Sequence, residues 1–191
     1  MRRGFALALA AGLGACKPAA PSALAPIRCP PGTPAELVGA IAAGRPAEAT
    51  MRGRCLAAAA RRGDATAARI LAAAYQAAML AAPRGAALSL DLFGRRVAWL
   101  AAGAAAGDAG AERALAAASD LNPRLAMPDM ALAWYQRAAQ QGDLAALAAL
   151  RAGVQQRRLR PDRLYDFHRW LNHNAARGPA YRAMLRMLDT G

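Results

Sequence analysis

The side chains that most often perform chemistry are few in this chain of 191 residues, and their spacing argues against a shared site. Only two histidines are present, His168 and His173. Five positions apart on a helix, they point about 140° away from each other, so they do not make the paired ligand face that a spacing of four would give. The serines Ser22, Ser89 and Ser119 lack the flanking glycines of a nucleophile elbow. Gly103 and Gly107 lie in or end a helical run with no strand before them, which is not the setting of a phosphate-cradling loop. The carboxylates are spread singly. A general acid and base assembled by folding, from acids such as Glu112 or Asp166, is the remaining route to catalysis. No catalytic, metal-binding or cofactor-binding set is expected, and no cofactor.

The elements that must carry these side chains read as helices. Trp134-Tyr135-Gln136-Arg137-Ala138-Ala139-Gln140-Gln141-Gly142-Asp143 lies between two alanine- and leucine-rich runs. Gly142 suits the left-handed conformation that closes a helix, and Asp143 suits the cap of the next one, so a helical hairpin is expected. The same pair recurs at Gly63-Asp64 and Gly107-Asp108, with a variant at Gly178-Pro179, where proline suits a first helical turn. Eight residues before each glycine stand Cys55, Trp99, Trp134 and Trp170, and three before it stand Ala60, Ala104, Ala139 and Ala175. Eight after come Leu71, Leu115 and Leu150, with Arg186 breaking the rule. Indoles in a repeat register fit core packing. Agreement at four positions predicts an all-α solenoid of about four stacked hairpins, and a repeat of this size needs at least about three copies to bury a continuous core.

Trp134-Tyr135 through Ala138-Ala139 to Gly142-Asp143 resembles the core of the Sel-one-like repeat, a relative of the tetratricopeptide repeat. The likeness runs from about Pro46 to Leu188 and is sharpest in the third copy. The family's glycine-rich linker is replaced here by Asp120-Leu121-Asn122-Pro123 or Arg158-Leu159-Arg160-Pro161. The resemblance implies an α-solenoid that holds other proteins, and it implies no reaction. Capped solenoids commonly bind through side chains of the leading helices, which makes Tyr135, Gln136, Arg137 and Gln140 the candidate contact surface.

At the N-terminus, Arg2 and Arg3 precede an apolar run from Phe5 to Leu13, the pattern of a secretory signal peptide. Its ending, Leu13-Gly14-Ala15-Cys16, resembles the lipobox of bacterial lipoproteins, which implies that Cys16 becomes a lipidated first residue. An ordinary signal peptide cut nearby is the alternative. Lys17, not aspartate, follows, and in such lipoproteins this implies the outer membrane. With Cys16 acylated, Cys29 and Cys55 remain in an oxidising compartment and one disulfide between them is expected, with two free or metal-binding thiols as the alternative. Such a bridge would tie the entering chain over the end of the solenoid.

The expected organisation is therefore a signal peptide over 1–15, an anchor and Pro/Ala-rich tether over 16–32, and a solenoid over 33–189 with repeats at about 46–82, 88–119, 128–157 and 161–189. Thr33-Pro34-Ala35-Glu36 predicts a capped helix over 34–43 stopped by Gly44. Pro46 is expected to open the first leading helix, Asp91 to cap the second, and Pro128 and Pro161 to start the third and fourth. The helix after Asp143 is expected to run past Gly153 toward the basic stretch.

The formal net charge is +13, or +11 without Arg2 and Arg3, and Lys17 is the only lysine. Phosphate contacts would make such a chain a nucleic-acid candidate in a cytosol. Export, and tryptophans at repeat positions, argue against that partner. The clusters Arg157-Arg158-Arg160-Arg163 and Arg52-Arg54-Arg61-Arg62 are either a solvated surface or one that meets an acidic envelope partner or anionic headgroups. The expected role is a periplasm-facing, lipid-anchored scaffold for an envelope protein, held to the membrane by its anchor alone. The alternatives are an envelope enzyme acting on cell-wall material, or a basic lipoprotein binding anionic lipid or polysaccharide.

Overall fold

The computed structural model describes residues 27–82, 88–121 and 127–189. The expected signal peptide, Cys16 and most of the expected tether lie outside the described residues. Those residues form an all-α helical-repeat fold: α1 (Pro34–Ala42), α2 (Met51–Arg61), α3 (Ala65–Ala81), α4 (Leu88–Ala105), α5 (Ala109–Leu121), α6 (Pro128–Gln140), α7 (Leu144–Gln155), α8 (Tyr165–Asn174) and α9 (Pro179–Asp189). Successive hairpins are α2/α3, α4/α5, α6/α7 and α8/α9, and each partner helix of the first two packs closely on the leading helix of the next hairpin.

The turns form as their residue types dictate. Gly63, Gly107 and Gly142 take φ of 91°, 82° and 99°, where an L side chain would be strained. The amide of the following aspartate reaches back to Ala59, Gly103 and Ala138 at 3.0–3.1 Å, closing each helix. The aspartate side chains then accept from the next helix: Asp64 from Ala67 at 3.0 Å, Asp108 from Ala111 at 2.7 Å, and Asp143 from Ala145 and Ala146 at 2.9 and 3.0 Å. Each such cap contributes about 1 kcal/mol.

Two further helix ends use the same closure. Gly44 (φ 74°) brings the Arg45 amide to the Ala40 carbonyl at 3.0 Å, and Arg157 (φ 56°) brings the Arg158 amide to Gly153 at 2.9 Å. The second ends α7 at Gln155, so the basic stretch does not continue the helix. Gly178, by contrast, is extended (φ 159°, ψ 174°) after a 3-10 turn, Ala175–Arg177, and does not repeat the turn of the other three.

Four other helix starts differ from the sequence expectation, one being the fourth leading helix, which begins at Tyr165 after a 3-10 turn, Pro161–Leu164, and not at Pro161. Thr33 makes no side-chain cap hydrogen bond. Thr50, not Pro46, caps the first leading helix, its hydroxyl accepting from the Gly53 amide at 2.9 Å after a 3-10 turn, Ala47–Ala49. Asp91 lies inside α4, which begins at Leu88, and accepts from Arg95 Nε at 2.8 Å across one helical turn.

The interior is alanine-rich, which lets helices approach closely. Its largest fully buried side chain is Tyr75. The Tyr75 hydroxyl accepts from the Ala47 amide at 3.1 Å and donates to Glu48 at 2.9 Å, pinning the 3-10 turn before α2. Buried residues fall into two clusters, one from α1 to α5 and one from Ala116 to α9, and Trp134 packs against both. Before the first hairpin, α1 buries Leu37 and Ile41 against the core and packs on α3. Burial of each such side chain stabilises by about 1.5–3 kcal/mol. Cys29 and Cys55 form a disulfide, Cα–Cα 5.5 Å, fastening the entering segment to α2 as expected.

Candidate binding grooves

The repeat-register residues are held in one frame but not in one environment. Ala60, Ala104, Ala139, Leu71, Leu115 and Leu150 are buried, as is Trp99. Trp134 and Trp170 are only partly buried, as is Ala175 in its 3-10 turn. An arginine guanidinium covers each indole: Arg61 over Trp99 at 5.7 Å, Arg137 over Trp134 at 5.0 Å and Arg177 over Trp170 at 5.6 Å. Each such contact contributes about 0.5–1 kcal/mol at an exposed site.

The expected contact surface on α6 requires correction. Tyr135 is 2 % exposed, because Ala131, Leu132, Tyr135, Ala138 and Ala139 form the buried face of α6 at spacings of three and four. Arg137 is committed within the molecule, stacked on Trp134 and 3.0 Å from Oε1 of Glu112. Glu112 is fully buried, and its Oε2 accepts from Gln141 Nε2 at 2.6 Å. Burial raises the Glu112 carboxyl above its ordinary pKa, against the lowering pull of Arg137. Gln136 is partly exposed, and Gln140 is exposed with its carbonyl accepting from Arg177 at 3.2 Å. The two candidate acids are not brought together: Asp166 is exposed and faces Arg169 at 3.4 Å.

Two open concavities lie along the partner helices. One cleft of about 320 Å³ runs between α3 and α5 over α4, lined by Arg69, Gln76, Arg96, Leu100 and Arg113 among alanines. A second, of about 290 Å³, runs between α7 and α9, lined by Leu147, Arg151, Gln155 and Met184 among others. The two clefts share a register. Counted from the turn glycine, Arg69 and Ala148 are both sixth, Ala73 and Ala152 tenth, Gln76 and Gln155 thirteenth. The partner helices therefore present one repeated face to both. Alignment on the turn glycine carries this signal in the sequence, because Arg69 and Arg113 are both sixth.

These arginines also join hairpins. Arg69 Nε lies 3.3 Å from the carboxylate of Asp108, and Arg113 Nε lies 2.8 Å from that of Asp143. Burial would raise the Asp143 carboxyl, but Arg113 and the Ala146 and Ala145 amides outweigh it and hold the group below its ordinary value. At the third junction the sixth residue is Ala148 and no aspartate follows Gly178, so both halves of the clasp are missing. Within the basic stretch, Arg158 pairs with the nearly buried side chain of Asp120.

No family model, curated protein or solved structure matches the chain. What it can do is therefore argued from its own geometry. A third cleft, about 420 Å³, lies at the last hairpin and is lined by Asp162, Leu164, Tyr165, His168, Leu188 and Asp189. His168 Nε2 stands 2.7 Å from Asp189 Oδ1, a pairing that ties α8 to α9. No serine, cysteine or threonine lines it among the described residues, nor do those residues hold a cluster of potential metal ligands. No described helix is long and apolar enough to cross a membrane.

Proposed function

We propose that the chain is a helical-repeat scaffold, tethered to a bacterial envelope membrane through Cys16, that holds a protein partner against the faces of its partner helices. The observation that carries this reading is the recurrence of one lining register, with its glutamine thirteenth from the turn glycine, in two separate clefts. Repetition of an open face along a stack of hairpins is what an extended protein-binding surface requires. The Leu13-Gly14-Ala15-Cys16 ending and the Cys29–Cys55 disulfide support an oxidising, membrane-proximal setting. The likeness of the third hairpin to a Sel-one-like repeat points the same way.

Fractionation and crosslinking in intact cells test both clauses. The wild-type chain should sediment with membranes and Cys16→Ser should release it, while crosslinking should yield one discrete adduct containing a second protein. A chain that is soluble without detergent and unmodified at Cys16 would remove the anchor. Absence of any discrete adduct would remove the scaffold.

A further inference from the structure

Arginine is concentrated in the cleft between α3 and α5 beyond what the hairpin clasps use. Arg69, Arg96 and Arg113 reach it from three different helices, and no aspartate or glutamate lines it. The clasps to Asp108 and Asp143 run through Nε, so they leave the outer donors of Arg69 and Arg113 unengaged by those pairs. Arg96 sits at the centre, on α4, partly buried and with no carboxylate partner among the described residues. Burial alone pulls its guanidinium below the ordinary value. A partly buried cation with no counter-ion costs stability that a ligand supplying the missing charge would restore.

The floor restricts what that ligand can be. Ala72, Leu100, Ala111 and Ala114 give shallow apolar seats between the guanidiniums, and Gln76 offers an amide that can both donate and accept. The first hairpin shows an occupant of the equivalent position. Arg52 stands three residues before Cys55, as Arg96 stands three before Trp99, and the Arg52 Nε and Nη1 are buried without a hydrogen-bond partner. There the chain's own entering segment lies across it: a Cβ built on Gly32 would be 3.0 Å from Arg52 Cδ and 3.2 Å from Glu36 Oε2. The entering segment thus lies against the arginine in the first repeat without pairing its buried Nε and Nη1, and in the second repeat the corresponding arginine lines an open cleft.

We infer that the cleft formed by Arg69, Arg96 and Arg113 binds an extended acidic peptide segment of a partner protein, its carboxylates taken by the guanidiniums and its small side chains seated on the alanine floor. This rests on the scaffold reading and names the partner's chemistry. Planar guanidiniums favour such paired contacts with carboxylates.

The test is binding of a short dye-labelled peptide of alternating glutamate and alanine to the full-length chain, followed by fluorescence anisotropy. Saturable binding, weakened about tenfold by Arg96→Gln as expected for loss of a charge-assisted contact, supports the assignment. So does retention of binding by Arg54→Gln, an exposed arginine on α2, together with a melting midpoint for Arg96→Gln no lower than that of the wild type. Equal weakening by both variants would show charge attraction without a site and overturn it. Arg96-dependent binding to phosphatidylglycerol vesicles in preference to the peptide would overturn it in favour of lipid. A discrete protein adduct in cells, with peptide binding indifferent to Arg96, would sink this assignment while leaving the scaffold standing.

Discussion

Arg113 and Asp143 are thirty residues apart in sequence and 2.8 Å apart in space, and they join two hairpins at the turn between α6 and α7 of the second. Asp143 thereby serves two functions: it caps α7 through the Ala145 and Ala146 amides, and it receives the partner helix of the preceding hairpin. Arg69 and Asp108 repeat the arrangement one unit earlier. Replacing Asp143 by alanine removes the cap and the clasp together and should cost about 1–2 kcal/mol in urea unfolding. Asp64→Ala, where the cap alone is lost, should cost less.

Asp143 and Glu112 should give stability opposite dependences on pH. The folded-state pKa of Asp143 is depressed, so its contribution is present above the unfolded value and disappears as pH falls through the folded one. That of Glu112 is raised, so its contribution is full below the unfolded value and is lost as pH rises through the folded one. In denaturant titrations at a series of pH values, Asp143→Asn should flatten the acid limb. Glu112→Gln should flatten the decline that begins at the ordinary carboxylate value and runs up to the raised folded one. Identical profiles for the two variants would contradict these assignments.

Gly53 lies within α2, where helix propensity alone predicts that alanine would stabilise by about 1 kcal/mol. A Cβ there would run into the backbone carbonyl of Ala47, which cannot move without unseating the 3-10 turn that Tyr75 holds. Sterics should prevail, and Gly53→Ala should lower the melting temperature.

Arg157 takes a left-handed conformation (φ 56°) at a helix end where Gly44, Gly63, Gly107 and Gly142 do the same. Arg157→Gly should stabilise by about 1 kcal/mol, since a non-glycine residue is strained there. A lower unfolding midpoint would mean that the arginine side chain makes a contact worth more than its backbone strain.

Reduction of the Cys29–Cys55 disulfide, which spans 26 residues, should cost roughly 3 kcal/mol in the chain-entropy picture. The loss should appear first at α1, measured as faster amide exchange of Leu37 and Ile41 than of Leu150.

The turns were legible in the sequence because their chemistry is local: a positive φ calls for glycine, and free amides call for aspartate. The disulfide was legible by arithmetic. The second use of the aspartates was not, because it depends on an arginine about a repeat away reaching across a packed interface. Tyr135 was misjudged as exposed because it follows an aromatic taken for core. Yet Ala131, Tyr135 and Ala138 share one helical stripe, and that spacing places Tyr135 inside and Trp134 at its edge. The resemblance points to the leading helices for a contact surface, whereas the two repeated clefts open along α3, α5, α7 and α9.

The most direct test of the account is site-resolved photo-crosslinking in cells, with the reactive side chain at Ala73 in the α3–α5 cleft or at Gln140 on α6. Both positions are exposed, and Ala73 lines the α3–α5 cleft. A single protein adduct at Ala73, suppressed by Arg96→Gln and absent at Gln140, is the predicted result. An adduct at Gln140 with none at Ala73 would contradict it.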